Sequence, residues 1–306
     1  MSDYSVETMN VQFINQAFLD KIDQGMTKEA GVAMSAFVRQ KLREEGFTRK
    51  LFNVQQVTAS DLDRGLDDQP RIIIEKEPDS TATFMALSGQ PTVRYFTGAR
   101  YEVPFYKLSS QKFKKSKFEL ATYKTDIRNI LQENSVKDLQ KQEDENFVRG
   151  LRLIHKDARG AEFLTPAGDR VTDKVMNLAK VLVGDSQKVA KILMSHQLYL
   201  TMLREPATQL GDAVASQHFK TGSMEGFYGW EIVTTIKADI LSSDGVVKGD
   251  LVAIFAPEAY LGQFYSLQEP TVFLKAEADM IEFETYEAIG IGIGNVKGFV
   301  LGKIDM

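Results

Sequence analysis

The chain has 306 residues, of which 43% are hydrophobic and 26% are charged, and its formal net charge is −5 at pH 7. This composition is ordinary for a globular protein of about two domains, and it fits disordered, collagen-like and coiled-coil classes poorly. The negative charge disfavours extensive nucleic-acid binding, and the absence of cysteine excludes disulfides, thiolate metal sites and thiol nucleophiles.

Residues 11–46 have the spacing of an amphipathic arm that contains two helices. In the first helix, apolar residues recur every four positions, at Ile14, Phe18, Ile22 and Met26. Thr27 can cap the second helix, and Gly46 is well placed to end it. We therefore expect the chain to open with helices that bury one face.

Turn residues and β-formers dominate residues 51–125, which predicts a long hairpin extending from the body. Its strands are residues 71–75 and 101–105, and a turn at Ser88-Gly89-Gln90-Pro91 lies between them. Because Pro104 has no backbone N–H to donate, the second strand should be an edge or projecting strand.

Residues 135–157 predict a long helix of about six turns, with a capping box that starts at Ser135. Its apolar residues share one face, which has a gap at Glu143. Gln140 and Asp144 fall on the opposite face, so we expect them to be solvated or to meet a neighbour.

Residues 165–265 alternate between helix and strand patterns, which indicates an α/β or α+β domain. The predicted helices are 171–183, 196–203 and one that begins at Pro257, and the predicted strands are 189–194, 229–240 and 251–256. Residues 280–294 then form one strand, more than twice the usual length of about five or six residues. One of its sides is apolar, and the other carries Glu282, Glu284, Tyr286 and three glycines.

Two motifs could carry chemistry. The glycines Gly290, Gly292 and Gly294 look like a dinucleotide fingerprint, but a strand follows them instead of a helix, so we expect them to admit a closely packed backbone. His155, His196 and His218 lack a partner at helical metal-site spacing, and we assign them no ligand or catalytic role. His155, at a helix end, would suit the dipole as a cation.

The second motif is a dense basic patch, formed by Lys112, Lys114, Lys115 and Lys117 with two interleaved phenylalanines. Aromatic and basic residues together are typical of single-strand binding, although the net charge of the chain opposes this. Lysines also protect sheet edges by plain solvation, or they form ion pairs with a neighbouring subunit. These alternatives stay open at the level of sequence.

The order of these parts resembles the major capsid proteins of tailed bacteriophages of the Hong Kong 97 type. Residues 125–129 and 143–147 resemble that family's approach to its spine helix. Three further stretches carry most of the resemblance: Gly229-Trp230-Glu231-Ile232-Val233-Thr234-Thr235, Ala256-Pro257-Glu258-Ala259-Tyr260-Leu261 and Ala278-Asp279-Met280-Ile281-Glu282-Phe283.

The resemblance implies an α+β fold with an N-terminal arm, an extended loop, a spine helix, and peripheral and axial domains. The expected limits are 1–46 for the arm, 47–72 for the first part of the peripheral domain, 73–121 for the extended loop, 122–160 for the peripheral domain with the spine helix, 161–265 for the axial domain, 266–295 for the long peripheral strands and 296–306 for a return strand. Some members have a scaffolding segment ahead of the arm. None is seen here, so a separate scaffolding protein is implied unless the arm suffices or the sequence is already processed.

The resemblance also implies function: a structural protein of the virion that assembles into an icosahedral head around phage DNA, with no catalytic, cofactor or metal site. The chain begins without a secretory signal pattern and has no window near the roughly 18 apolar residues that span a bilayer, so we expect synthesis in the host cytoplasm and no membrane partner. Expected partners are copies of itself in pentamers and hexamers, a portal, a scaffolding protein and possibly a decoration protein.

Candidate contacts between subunits are the charged residues of the basic patch, the loop and the long strand: Lys112, Lys114, Lys115, Lys117, Arg94, Arg100, Glu282, Glu284 and Glu287. Some family members join subunits by an isopeptide bond from a loop lysine, but residues 88–98 offer Arg94 and no lysine, so we expect no crosslinks. Two alternatives remain: an encapsulin-like compartment that encloses cargo enzymes, and an α/β enzyme that uses residues 165–265.

Overall fold

The computed structural model describes residues 19–20, 22, 24–26, 46–64, 69–75, 84–85, 87, 89–90, 100–122, 127–204 and 226–305. The helices are α1 (Thr48–Leu51), α2 (Lys117–Thr122), α3 (Ile127–Arg159), α4 (Val171–Gly184), α5 (His196–Leu203) and α6 (Glu258–Leu261). The strands are β1 (Val54–Gln56), β2 (Asp63–Arg64), β3 (Pro70–Glu75), β4 (Arg100–Pro104), β5 (Tyr106–Ser109), β6 (Phe113–Ser116), β7 (Lys191–Ser195), β8 (Gly226–Phe227), β9 (Trp230–Thr235), β10 (Leu251–Phe255), β11 (Gly262–Glu277), β12 (Met280–Ile293) and β13 (Phe299–Lys303).

Two very long antiparallel strands, β11 and β12, form the centre of the long-strand sheet, which has the order β1-β11-β12-β5 with β6 also on β12. From Met280 to Ile289, every second residue of β12 is buried, as expected for a sheet with one covered face. The predicted strand at 280–294 is thus confirmed. Its long partner β11 begins at Gly262, inside the region we had placed in the axial domain.

Strands β5 and β6 act as one edge strand with a bulge. Both run antiparallel to β12, but the register moves by one residue between the pairs Ser109↔Tyr286 and Phe113↔Phe283. The interruption lies at Ser110, whose N–H donates to Thr285 O at 2.8 Å. A one-residue bulge of this kind disrupts the ladder locally and bends the edge strand.

The insert sheet, which we name for the insert at residues 165–265 that contains four of its five strands, has the order β13-β10-β7-β9-β8. An inner strand of this sheet, β10 with the sequence Leu-Val-Ala-Ile-Phe, is buried at every position because α4 and α5 cover one face of the sheet and the long helix lies on the other side. The predicted helices at 171–183 and 196–203 are confirmed as α4 and α5. The predicted strand at 229–240 ends earlier, at Thr235.

The small sheet has the order β2-β3-β4, and it packs across the glycines of β12. A Cβ at Gly290 would lie 3.1 Å from Pro104 O, and one at Gly292 would lie 2.7 Å from Val103 Cγ2. A Cβ at Gly294 would overlap the Tyr101 hydroxyl. The predicted close approach of a second backbone is therefore found at Gly290, whereas Gly292 and Gly294 make room for side chains of β4. Pro104 ends β4, the outer strand among the described residues, which confirms its edge position.

The long helix α3 has 33 residues and begins at Ile127, before the predicted cap at Ser135. The residues ahead of Ser135 include good helix formers, Leu131, Gln132 and Glu133, so the helix continues through the cap pattern. Of the predicted arm, only 19–20, 22, 24–26 and 46 are described, and Leu19 and Ile22 are buried in the main core. The second arm helix and the tip of the predicted hairpin at 88–98 lie largely outside the described residues.

Candidate functional site

The basic patch lies on the edge of the long-strand sheet. The sequence pattern predicted a projecting hairpin for these residues. Instead, Phe113–Ser116 pair with Met280–Phe283 of β12, and this pairing keeps Phe113 at least half-buried. Lysines and a bulge at a strand edge are the features by which natural sheets prevent edge-to-edge pairing. This position fits a solvated edge, and it also leaves the lysines accessible to a neighbouring subunit.

Within one chain, the patch pairs with the carboxylates of β12. Lys112 Nζ lies 2.9 Å from Glu284 Oε2 and 3.9 Å from Glu282 Oε1. Lys114 Nζ lies 3.9 Å from Glu282 Oε2, and both lysine side chains are more than half exposed. The hydrogen bond from Lys112 lowers the pKa of Glu284 below its ordinary value. These surface pairs contribute little stability, because solvent screens them.

The remaining candidates for contacts between subunits have different surroundings. Lys115 pairs with Glu119 at 3.3 Å, Lys117 is half-buried, and Arg100 is exposed. Arg94 lies outside the described residues. Glu287 is fully buried and pairs with Arg49 of its own chain, so we withdraw it as a contact between subunits.

A buried charge cluster, which the local sequence patterns did not predict, lies beneath β12. Arg49 of α1 donates from Nε to Glu143 at 3.1 Å and from Nη2 to Glu287 at 2.7 Å. The side chains of Arg49, Glu143 and Glu287 are 6%, 2% and 0% exposed. The Arg49 guanidinium also lies 5.5 Å from the ring centroid of Phe264 on β11. One arginine thus joins the long helix to both long strands.

Asp144, the next residue of α3, holds two further segments. It accepts hydrogen bonds from Thr48 N at 3.2 Å and from Thr48 Oγ1 at 2.7 Å. Lys237, in the loop after β9, places its Nζ 2.7 Å from the other Asp144 oxygen. Asp144 and Gln140 are buried, so our placement of both on a solvated or neighbour-facing side was wrong. The gap at Glu143 in the apolar face was the one signal of the cluster in the sequence.

The cluster is electrostatically unbalanced. Burial raises the pKa of Glu143 to about 8. The attraction of Arg49 opposes this rise, and the repulsion from Glu287 and Asp144 adds to it. Burial also raises the pKa of Glu287, whose Oε1 has no hydrogen-bond partner. Buried carboxylates favour their neutral form when too few cations accompany them.

The histidines and the insert show no reaction centre in the part of the chain that the structure describes. His155 is buried with Nδ1 2.7 Å from Ala161 O, and burial lowers its pKa, so its predicted role as a cation at the helix end is wrong. His218 lies outside the described residues. No group of three or more potential metal-binding side chains, and no helix suited to crossing a membrane, occurs among the described residues.

No protein-family model matches the chain, and no curated protein matches its sequence. Solved structures do match. The mature capsid of bacteriophage PhiM1 aligns with a TM-score of 0.55 at 9% identity, over 82% of this chain and 85% of that one. The capsid of cyanophage P-SCSP1u aligns with a TM-score of 0.56 at 12% identity, over 83% and 86%.

A virus-like particle from Pyrococcus furiosus aligns with a TM-score of 0.55 at 17% identity, over 90% of this chain and 100% of that one. At these identities the likeness is one of fold, and it extends over most of each chain. The long helix, the paired long strands and the insert sheet are therefore parts of one shared α+β architecture.

Proposed function

We propose that this chain, which has the Hong Kong 97-type fold, is a structural subunit that assembles with copies of itself into the icosahedral head of a tailed phage. It is not an enzyme. The observation that carries the proposal is the likeness of fold to capsid subunits across more than four fifths of the chain. A subunit with several neighbours sums many weak contacts, so a closed shell can be stable although each pair of subunits binds weakly.

Exposed apolar side chains support contacts between copies. In the region expected to be the extended loop, the side chains of Phe84 and Leu87 are fully exposed, and Met85 is 49% exposed. Such a group of apolar side chains in water is typical of an interaction site. A neighbouring subunit would cover them on assembly.

The charged edge strand supplies a second contact in this proposal. Lys112 and Lys114 pair with Glu284 and Glu282 of their own chain, yet both lysine side chains remain more than half exposed. They are therefore free to exchange partners with acidic residues of an adjacent copy, which would set register and rate. Arg100, Lys115 and Lys117 are proposed as further contacts, as is Arg94, which lies outside the described residues.

The test of the edge contact is salt dependence. Lys112→Glu with Lys114→Glu should shift the salt range over which particles form, measured by light scattering of the purified chain. Lys156→Glu, a reversal on the exposed side of α3, is the matched control and should leave that range unchanged. Identical salt dependence for all three proteins would contradict the proposal.

Electron microscopy of negatively stained protein tests the shell itself, with the chain expressed alone and with candidate scaffolding proteins. Closed isometric shells, or capsomers with five-fold and six-fold symmetry, are expected. Phe84→Ser with Leu87→Ser should remain folded by circular dichroism and fail to form shells. A monomer or small dimer under every condition would overturn the proposal and favour an enzyme that uses residues 165–265.

A virus-like particle from Pyrococcus furiosus shares the fold with the phage capsids, so the fold by itself does not separate a phage head from the alternative of an encapsulin-like compartment. We favour a genome-enclosing head because phage capsids share this fold over more than four fifths of the chain. The contents of native particles decide between the two: DNA is expected, whereas cargo proteins without DNA would favour the compartment. The portal, the scaffolding protein and a decoration protein are proposed partners on the same grounds, and synthesis in the host cytoplasm follows from the same proposal.

A further inference from the structure

The buried charge cluster contains more negative than positive groups. Its cations are Arg49 and Lys237, and its carboxylates are Glu143, Asp144 and Glu287. When all five are ionised the net charge is −1, because two positive charges face three negative ones. These groups come from every element that meets at the site: α1, α3, β12 and the loop after β9, while β11 contributes the apolar ring of Phe264.

The unsatisfied oxygen shows where the imbalance lies. Arg49 Nε lies 3.1 Å from each oxygen of Glu143, and Arg49 Nη2 binds only Oε2 of Glu287. Glu287 Oε1 is buried without a partner. An ionised carboxylate oxygen in that position loses its hydration without compensation, which a bound proton would relieve. Both oxygens of Asp144, in contrast, have donors, because Thr48 Oγ1 binds Oδ1 and Lys237 Nζ binds Oδ2.

We propose that the cluster is a proton-dependent lock: one proton shared by Glu143 and Glu287 fastens residues 46–52 to the long helix and the long strand, and its loss loosens them. This lock is independent of the proposed shell function. It concerns the point where residues 46–52 connect the N-terminal part of the chain to the body.

The direction of the pH effect follows from linkage. Burial raises the pKa of Glu143 to about 8 in the closed form, from the ordinary 4.5 that solvent would restore in the open form. The closed form therefore binds more protons between these values, and its stability relative to the open form falls as the pH rises. The fall is about tenfold per pH unit and ends near the closed-form pKa.

Residues 46–52 are the part most able to respond. Helix α1 has only four residues, whereas α3 has 33 and β12 is paired along both edges. Phe47 and Phe52 still pack on Phe147, with ring centroids 6.5 Å and 5.5 Å apart. These apolar contacts oppose complete undocking, so the expected response is more frequent local opening.

Hydrogen exchange of the full chain tests the lock through the amides of Leu51 and Phe52, which donate to Phe47 O and Thr48 O. After correction for the intrinsic rate, their protection should fall about tenfold per pH unit between about pH 6 and pH 8 and then level off. Glu143→Gln, which mimics the protonated form, should make protection independent of pH. Glu145→Gln is the matched control on the same helix, since Glu145 forms a surface ion pair with Lys141 at 3.8 Å, and it should behave as the wild type.

Three results would overturn the proposal: constant protection in the wild type, an unchanged slope in Glu143→Gln, or an equal fall at Ala253 and Phe255 of β10. The last would mean that the whole subunit, and not this segment, responds to pH. If Glu143→Gln does not fold, Glu287→Gln replaces it with the same expected result.

Discussion

The insert sheet and the long-strand sheet bury their cores differently. The insert core, between its sheet and the helices α4 and α5, is built from apolar side chains such as Leu178, Leu182 and Ile254. The long-strand sheet packs apolar residues on α3 as well, but it also buries Arg49 with two glutamates. An apolar core depends on shape alone, whereas a charged one depends also on proton and ion-pair balance. The stabilities of these two regions of the subunit should therefore depend differently on pH.

Removal of the central cation should have the largest effect. Arg49→Met leaves Glu143 and Glu287 buried without a counterion, so we expect a loss of about 4 kcal/mol of unfolding free energy at neutral pH. Urea denaturation at several pH values measures it. The loss should shrink as the pH falls, because protonation removes the buried negative charge that lacks a counterion, and a loss independent of pH would contradict the ionic origin.

A cavity in the insert provides the contrast. Leu182 is fully buried against the sheet, and Leu182→Ala should cost about 3 kcal/mol through lost contacts and the cavity left behind. The same urea series is the measurement. Because no proton is bound or released at this site, the loss of unfolding free energy should be equal at every pH. A loss that depends on pH would contradict the proposed difference between the two cores.

The smallest expected effect compares one turn from each region. Ala278, between β11 and β12, has φ 51°, and Ser186, after α4, has φ 62°. Glycine adopts these angles without steric cost, so Ala278→Gly and Ser186→Gly should each stabilise the chain by about 0.5–1 kcal/mol. Thermal unfolding should show both midpoints rising at low and high pH alike. A fall for either variant would show that its side chain contributes more than the strained backbone costs.

Local patterns predicted the elements that obey a simple period. The alternation from Ile281 onward predicted β12, and the apolar spacing predicted α4 and α5 closely. Strand β11 was not predicted as one continuous element because Pro270 lies within it, and proline normally argues against a strand. In the structure, the pairing of β11 with β12 changes register next to this proline, between Gln268 and Thr271. The proline is tolerated in β11 because β1 pairs with residues 264–266, so no β1 residue needs a hydrogen bond from position 270.

The charge cluster could not be predicted in the same way. Arg49 lies 94 positions from Glu143 and 238 from Glu287, so no local window contains the site. A charged residue on an apolar helix face, such as Glu143, indicates that a buried partner exists, but it does not indicate which residue that partner is. The intrachain partners of Lys112 and Lys114 were also missed, because strand register decides them and the bulge at Ser110 shifts that register.

The position of Asp144 has a mechanical consequence. Lys237 of the insert and Thr48 of the N-terminal segment bind the two oxygens of this one carboxylate, and Arg49 is attached one residue away. A force that tilts the insert is therefore transmitted to the N-terminal segment through a single turn of α3. A rotation of the insert should therefore displace residues 46–52 as well, because both are hydrogen-bonded to Asp144 on the long helix.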